Sequence, residues 1–224
     1  MRQLDKTDLD LTKYAAIVFD FDGTLVPCLD LRAMKREVLD FTVRESGIAR
    51  EAIESMMMVE FIEHTHQWLR HQGKSPDYFE RAHALVKNIE LDAALNTRLF
   101  AGTEGVLARL REKGFALGIV TRNCKDAVHT MYPEVGEVCA SVITRDEARY
   151  LKPDPRHLQQ CLDELDVQAS QCLMVGDGII DIQIAKAIGA ASLAVTSGHN
   201  SRIELDEAEP DWLLAHVNEL SHFL

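Results

Sequence analysis

In this 224-residue chain, carboxylates, a hydroxyl and an ammonium follow directly on short apolar runs. Ala15–Asp20 leads into Asp20-Phe21-Asp22-Gly23-Thr24, and Ala116–Val120 into Thr121-Arg122-Asn123. Ser141–Thr144 is followed, a few residues on, by Lys152-Pro153-Asp154-Pro155. Cys172–Val175 runs into Gly176-Asp177-Gly178-Ile179-Ile180-Asp181. Asp20, Asp22, Asp177 and Asp181, with Thr121 and Lys152, suit a hard divalent cation beside a phosphoryl group. Magnesium takes a few carboxylate or carbonyl oxygens and keeps positions for water and phosphate oxygens. A lysine and backbone amides then cancel the remaining phosphoryl charge.

Taken singly, each residue has an ordinary structural reading. A strand-end Asp is a common turn or N-cap residue, and Asp22-Gly23 is a turn signal. Thr121 could cap a helix over Lys125–Met131, and Lys152 before a proline could be a solvated surface lysine. Gly176-Asp177-Gly178 starts like a dinucleotide-phosphate loop, but Asp181 stands at the third glycine position, where a carboxylate repels a pyrophosphate. The chemical reading rests on all four pieces occurring in order, each after its own strand.

The apolar runs are short and rich in Val, Ile and Phe, which favours strands; Ser192–Val195 is a fifth, and Asp211–His216 is expected as a final edge strand. Helical patterns lie between them at Glu104–Lys113, Pro155–Leu165 and Asp181–Ile188. Strands alternating with helices imply an α/β fold with a doubly wound parallel sheet, helices covering both faces. Ligands of such sheets bind beyond the carboxyl ends of the strands, where the strand order reverses. Residues 27–100 break the alternation. Leu31, Met34, Val38 and Leu39, then Met57, Met58, Phe61 and Ile62, recur at helical spacing, and Ser75-Pro76 opens a helix around Tyr78–Ile89. The expected organisation is a core of residues 1–26 and 101–224 with an all-helical insert over 27–100. Met56–Met58 are assigned to the core of that insert or to packing between it and the sheet domain.

The net charge is −12, and residues 27–100 hold ten basic and twelve acidic side chains, leaving −10 on the core. A field of that sign disfavours nucleic acid and anionic membrane surfaces as partners. No apolar run reaches the roughly 20 residues of a membrane span, and the stretch MRQLDKTDLDLTKY lacks a signal peptide's apolar centre. Five cysteines without a CxxC pair read as reduced thiols, so a cytoplasmic location is expected.

DFDGTL at Asp20–Leu25, Thr121, LKPDP at Leu151–Pro155 and GDGIID at Gly176–Asp181 resemble, in order, the four motifs of the haloacid dehalogenase-like superfamily. The match spans the sheet region, about two thirds of the chain. The helical insert resembles the C1 cap of the phosphoglycolate phosphatase-like subgroup. The resemblance implies a magnesium-dependent phosphatase acting on a small phosphorylated metabolite. Asp20 would be the nucleophile and form an aspartyl-phosphate. Asp22 would protonate the leaving oxygen and then activate water. Magnesium would be held by the Asp20 carboxylate, the Asp22 carbonyl and Asp177, with Asp181 acting through water or as an orienter. Thr121 and Lys152 would grip the phosphoryl group, and Gly23, Arg122 and Asn123 would add substrate contacts. An acid at position 22 favours phosphoesters over haloacids, because a halide leaves without a proton. A phosphomutase of the β-phosphoglucomutase type and a non-enzymatic phospho-acceptor or binding module are the alternatives.

Overall fold

The computed structural model describes residues 9–74 and 77–224. The chain divides into two compact units, one made of Met1–Cys28 with Ala94–Leu224 and the other of Leu29–Ala93. The first unit holds a six-stranded parallel sheet in the order β3-β2-β1-β4-β5-β6. The strands are β1 (Ala16–Phe19), β2 (Ala116–Val120), β3 (Ser141–Ile143), β4 (Cys172–Gly176), β5 (Ala191–Val195) and β6 (Trp212–Leu214). Each expected run forms a strand, including the last edge. All four residues of β1 are buried, as a central strand covered on both faces requires.

The order reverses at β1, which pairs with β2 on one side and β4 on the other. Phe19 stands level with Val175, so Asp20 and Asp177 leave the sheet side by side. That juxtaposition is the crevice expected of an open parallel sheet.

Helices α1 (Leu31–Ser46), α2 (Met58–His71) and α3 (Tyr78–Leu95) build the second unit. Met34, Val38, Phe61, Ile62, Leu69 and Tyr78 form its core. Met56 and Met58 pack against it, whereas Met57 precedes α2, its amide donates to Glu60 Oε2 at 3.0 Å, and its side chain is half exposed. The expected helix start at Ser75-Pro76 lies outside the described residues, as do residues 1–8 of the N-terminal stretch.

The sheet unit carries α4 (Thr103–Glu112), α5 (Lys125–Met131), α6 (Val135–Val138), α7 (Arg156–Leu165), α8 (Ile179–Ile188) and α9 (Arg202–Glu207). Helix α5 starts after Cys124, whose side chain makes no cap bond, and Thr121 lies before that position, its hydroxyl accepting from the Asn123 amide at 3.0 Å. Helix α8 begins two residues before Asp181, so that carboxylate falls in the first turn, where the positive helix end favours an anion. Among the described residues, no helix is long and apolar enough to cross a membrane.

Candidate active site

Three carboxylates and one ammonium meet at the carboxyl ends of β1 and β4. Asp20, Asp177 and Asp181 are all buried, and each offers an oxygen within 4.8 Å of the others'. Lys152 Nζ donates to Asp20 Oδ1 at 2.6 Å and to Asp181 Oδ1 at 2.8 Å, and is itself 6% exposed. Asp20 and Lys152 are 132 residues apart in sequence. Thr24 adds a hydroxyl that accepts from the Asp177 amide at 3.1 Å. Its single proton is directed at Asp20 Oδ2 or Asp177 Oδ1, both 3.5 Å away.

Asp177 is fixed by its neighbours' backbone. Oδ2 accepts from the His199 amide at 2.9 Å, in the loop that follows β5. Gly198 makes that contact possible, because a Cβ there would lie 1.7 Å from Asp177 Oδ2. In the loop after β1, Gly23 adopts φ +84°, and a Cβ there would lie 2.6 Å from both Asp177 Oδ2 and Cys28 Sγ. Two glycines therefore seat this carboxylate, one by space alone and one also by its left-handed backbone. Asp181 is anchored within α8, Oδ2 accepting from the Gly178 amide at 3.0 Å.

Burial sets the electrostatics. It pushes Asp177 well above the carboxylate range, and the neighbouring Asp20 pushes it further. Burial also raises Asp181; Lys152 opposes that and Asp20 adds to it, and the ammonium, divided between two carboxylates, does not offset it. Burial works against the charge of Lys152, but Asp181 and Asp20 together hold it above the ordinary lysine value. The Cys28 thiol, 3.9 Å from Asp177 Oδ2, is pushed up to about 12 by burial and by the charges of Asp177, Asp22 and Asp20. Three carboxylates facing one ammonium leave two negative charges unbalanced among oxygen ligands. A hard divalent cation fits both the charge and the donor set.

Asp22 is turned away from this cluster. The Asn123 amide donates to both its oxygens, each at 3.1 Å, and the Thr121 hydroxyl approaches Oδ2 at 3.5 Å. Asn123, expected as a substrate contact, uses both ends of its side-chain amide within the protein. Its amide nitrogen holds Asp22, and its Oδ1 accepts from the Cys124 amide at 2.8 Å. The Gly23 amide, expected as a phosphoryl donor, is already used by the Val26 carbonyl at 2.8 Å. Arg122 is partly buried beside Thr121, its carbonyl accepting from Arg145 Nη1 at 3.1 Å.

Sequence reasoning misses Thr24, Gly198, the His199 amide and His157, whose imidazole accepts from the Lys152 amide at 3.2 Å. Thr24 lies inside the first motif, four residues after Asp20, so its position is a usable signal. The loop after β5 carries no motif, and only the fold brings it to Asp177.

A family model described as haloacid dehalogenase-like hydrolase matches residues 17–195. A haloacid dehalogenase-like hydrolase domain-containing protein of Arabidopsis thaliana is 30% identical over 181 residues, covering 80% of this chain and 69% of the relative. A phosphoglycolate phosphatase of Yersinia pseudotuberculosis is 26% identical, with 94% of each chain covered. Among solved structures, a hydrolase from Pseudomonas syringae superposes with a TM-score of 0.69 at 19% identity, covering 93% of this chain and 97% of that one. With the matched segment taking in β2 to β5 and all but the first residue of β1, the chain belongs to the haloacid dehalogenase-like hydrolase family, and within it is similar to the phosphoglycolate phosphatases.

Proposed function

We propose that this protein hydrolyses a small phosphorylated metabolite, in the cytoplasm, through an aspartyl-phosphate on Asp20. The observation that carries the reading is a division of labour between two carboxylates two residues apart. Asp20 sits in the buried cluster against Lys152, while Asp22 is partly exposed and held outside it by Asn123. One environment suits a nucleophile and the other a proton carrier. Five free thiols support the compartment, and relatives named phosphoglycolate phosphatase that span nearly the whole chain support the substrate class.

In the first step an Asp20 oxygen bonds to phosphorus and the ester P–O bond breaks, while Asp22 gives its proton to the leaving oxygen. In the second step Asp22 takes a proton from water, whose oxygen displaces Asp20 and yields orthophosphate. General acid–base help of this kind contributes roughly 10²–10⁴-fold. Lys152 and Thr121 bind the transferring phosphoryl oxygens, and Lys152 also lessens repulsion between Asp20 and its anionic target. Magnesium would be held by the carboxylates of Asp20 and Asp177 and the Asp22 carbonyl, with Asp181 beyond, and would neutralise phosphoryl charge.

The test is phosphate release from a panel of small phosphomonoesters, phosphoglycolate and sugar phosphates included, with magnesium or with a chelator. Release that needs magnesium and disappears in Asp20→Asn is expected. Release that survives in Asp20→Asn, or none from any ester with folded wild type, overturns the reading.

A further inference from the structure

Helix α7 buries one side, and its inward positions read His157, Leu158, Cys161 and Leu162. Leu158, Cys161 and Leu162 pack with Val18, Val120 and Ile143 in an apolar core of the sheet unit. His157 is the polar member of this face and is fully buried. A buried imidazole needs partners for both nitrogens. It has them: Nδ1 lies 3.2 Å from the Lys152 amide nitrogen, and Nε2 lies 3.2 Å from the Ile143 carbonyl oxygen.

These partners determine the protonation pattern. A backbone amide only donates, so Nδ1 accepts; a carbonyl only accepts, so Nε2 carries the proton. The ring is neutral and in one tautomer. The same Ile143 carbonyl also accepts from the Thr121 amide, at 3.0 Å. One line of hydrogen bonds therefore runs from the Thr121 amide through the Ile143 carbonyl and the His157 ring to the Lys152 amide.

The two ends of that line carry the hydroxyl and ammonium of the candidate site. Thr121 is held at the end of β2 by its bond to β3. Lys152 lies in the loop between β3 and α7, beyond the strand ladder, so nothing in the sheet register sets its place. The imidazole ties the backbone of that loop to the end of β3, while Asp20 and Asp181 hold the ammonium.

We propose that His157 is a positioning residue: as a neutral Nε2–H ring it sets the spacing between Thr121 and Lys152, and so the width of the phosphoryl grip. Its effect on turnover rests on the phosphatase reading; its effect on Lys152 does not.

The experiment compares the full chain with His157→Leu, which fills similar volume without nitrogens, and with His157→Asn, whose Oδ1 can stand near Nδ1 and accept from the Lys152 amide. The measurements are kcat and KM on the best panel substrate, inhibition by orthovanadate, and nitrogen NMR of the wild-type ring with the Lys152 amide resonance. Displacement of a reacting group by about 1 Å can lower rates about 100-fold. We expect His157→Leu to lose about 10- to 100-fold in kcat and to bind vanadate more weakly while still melting cooperatively. His157→Asn should recover about tenfold. A folded His157→Leu with kcat within about twofold of wild type, or an Asn variant no better than Leu, overturns the proposal. Should His157→Leu fail to fold, the wild-type spectrum decides: a neutral Nε2–H ring between pH 6 and 9 is expected, and a charged or Nδ1–H ring contradicts it. Absence of phosphate release from wild type would remove the phosphatase reading, and the spectrum would still decide the state of the His157 ring.

Discussion

Asp22 and Lys152 show how environment assigns different work to residues of one rim. Asp22 is partly exposed and accepts from Asn123, so replacing it by Asn removes a proton carrier without leaving a buried charge unpaired. Asp22→Asn is expected to lower kcat by roughly 10²–10⁴-fold with an unchanged melting curve. Lys152 is the reverse case. Its ammonium is buried between Asp20 and Asp181, and removing one partner of a buried ion pair costs about 3–5 kcal/mol. Lys152→Met should therefore lower both kcat and stability. Because the loss is one of charge balance, magnesium should restore more of the melting temperature in Lys152→Met than in wild type. Equal restoration in the two proteins would argue against an electrostatic origin.

Burial also governs the protonation of the His157 imidazole. Burial, with the charge of Lys152, lowers its pKa from 6.5 to about 4. The unfolded chain thus binds the proton more readily than the folded one. The neutral ring's contribution is complete above pH 6.5 and is lost as pH falls towards 4. Denaturant unfolding should find wild type losing about 2–3 kcal/mol between pH 8 and pH 4.5 beyond what His157→Leu loses. Parallel pH dependence in the two proteins would contradict this.

At the scale of elements, the site is assembled from strand ends and the loops that follow them, and the loops differ in how clearly they speak. The loops after β1 and β4 carry contiguous acid–glycine motifs and are legible in the sequence. The loop after β5 is not. Its role is visible only when Gly198 and the His199 amide are found against Asp177, at a sequence separation of 22 residues. Gly198→Ala should displace Asp177 and weaken magnesium binding at least about tenfold by titration calorimetry, with the sheet intact. Unchanged affinity would mean that the loop moves aside freely. Helix α7 teaches a related lesson. Its opening proline predicts the helix, but a lone histidine on its apolar face reads equally well as filler, and its two partners, in the preceding strand and loop, are joined to it only by the fold.

For the whole molecule, the alternation of runs and helical patterns is enough to reach the parallel sheet, because both-sided burial imposes near-continuous apolar strands. The bond from Asn123 to Asp22 spans 101 residues and leaves no local trace in the sequence. Global charge matters as well. A net charge of −12 accompanies a buried cluster that is itself under-compensated. Asp177 and Asp181 have folded pKa values raised above their unfolded ones, so the metal-free protein holds protons there that the unfolded chain would release. Their contribution is fully present below the unfolded pKa and is lost as pH rises through the folded values. In chelator, stability should fall from mildly acidic to mildly alkaline pH, and the rise in Tm given by magnesium should grow over the same span. A magnesium effect that shrinks with rising pH would contradict the assignment of these carboxylates to the cation.

The proposed chemistry turns on the covalent intermediate at Asp20. The most direct measurement is an acid quench during turnover, followed by borohydride reduction and peptide mass spectrometry of the segment containing residues 20–25. Reduction of an acyl phosphate to an alcohol is expected at residue 20, dependent on magnesium and absent in Asp20→Asn. Steady phosphate release with residue 20 unmodified at every quench time, or with the label on another carboxylate, would contradict it.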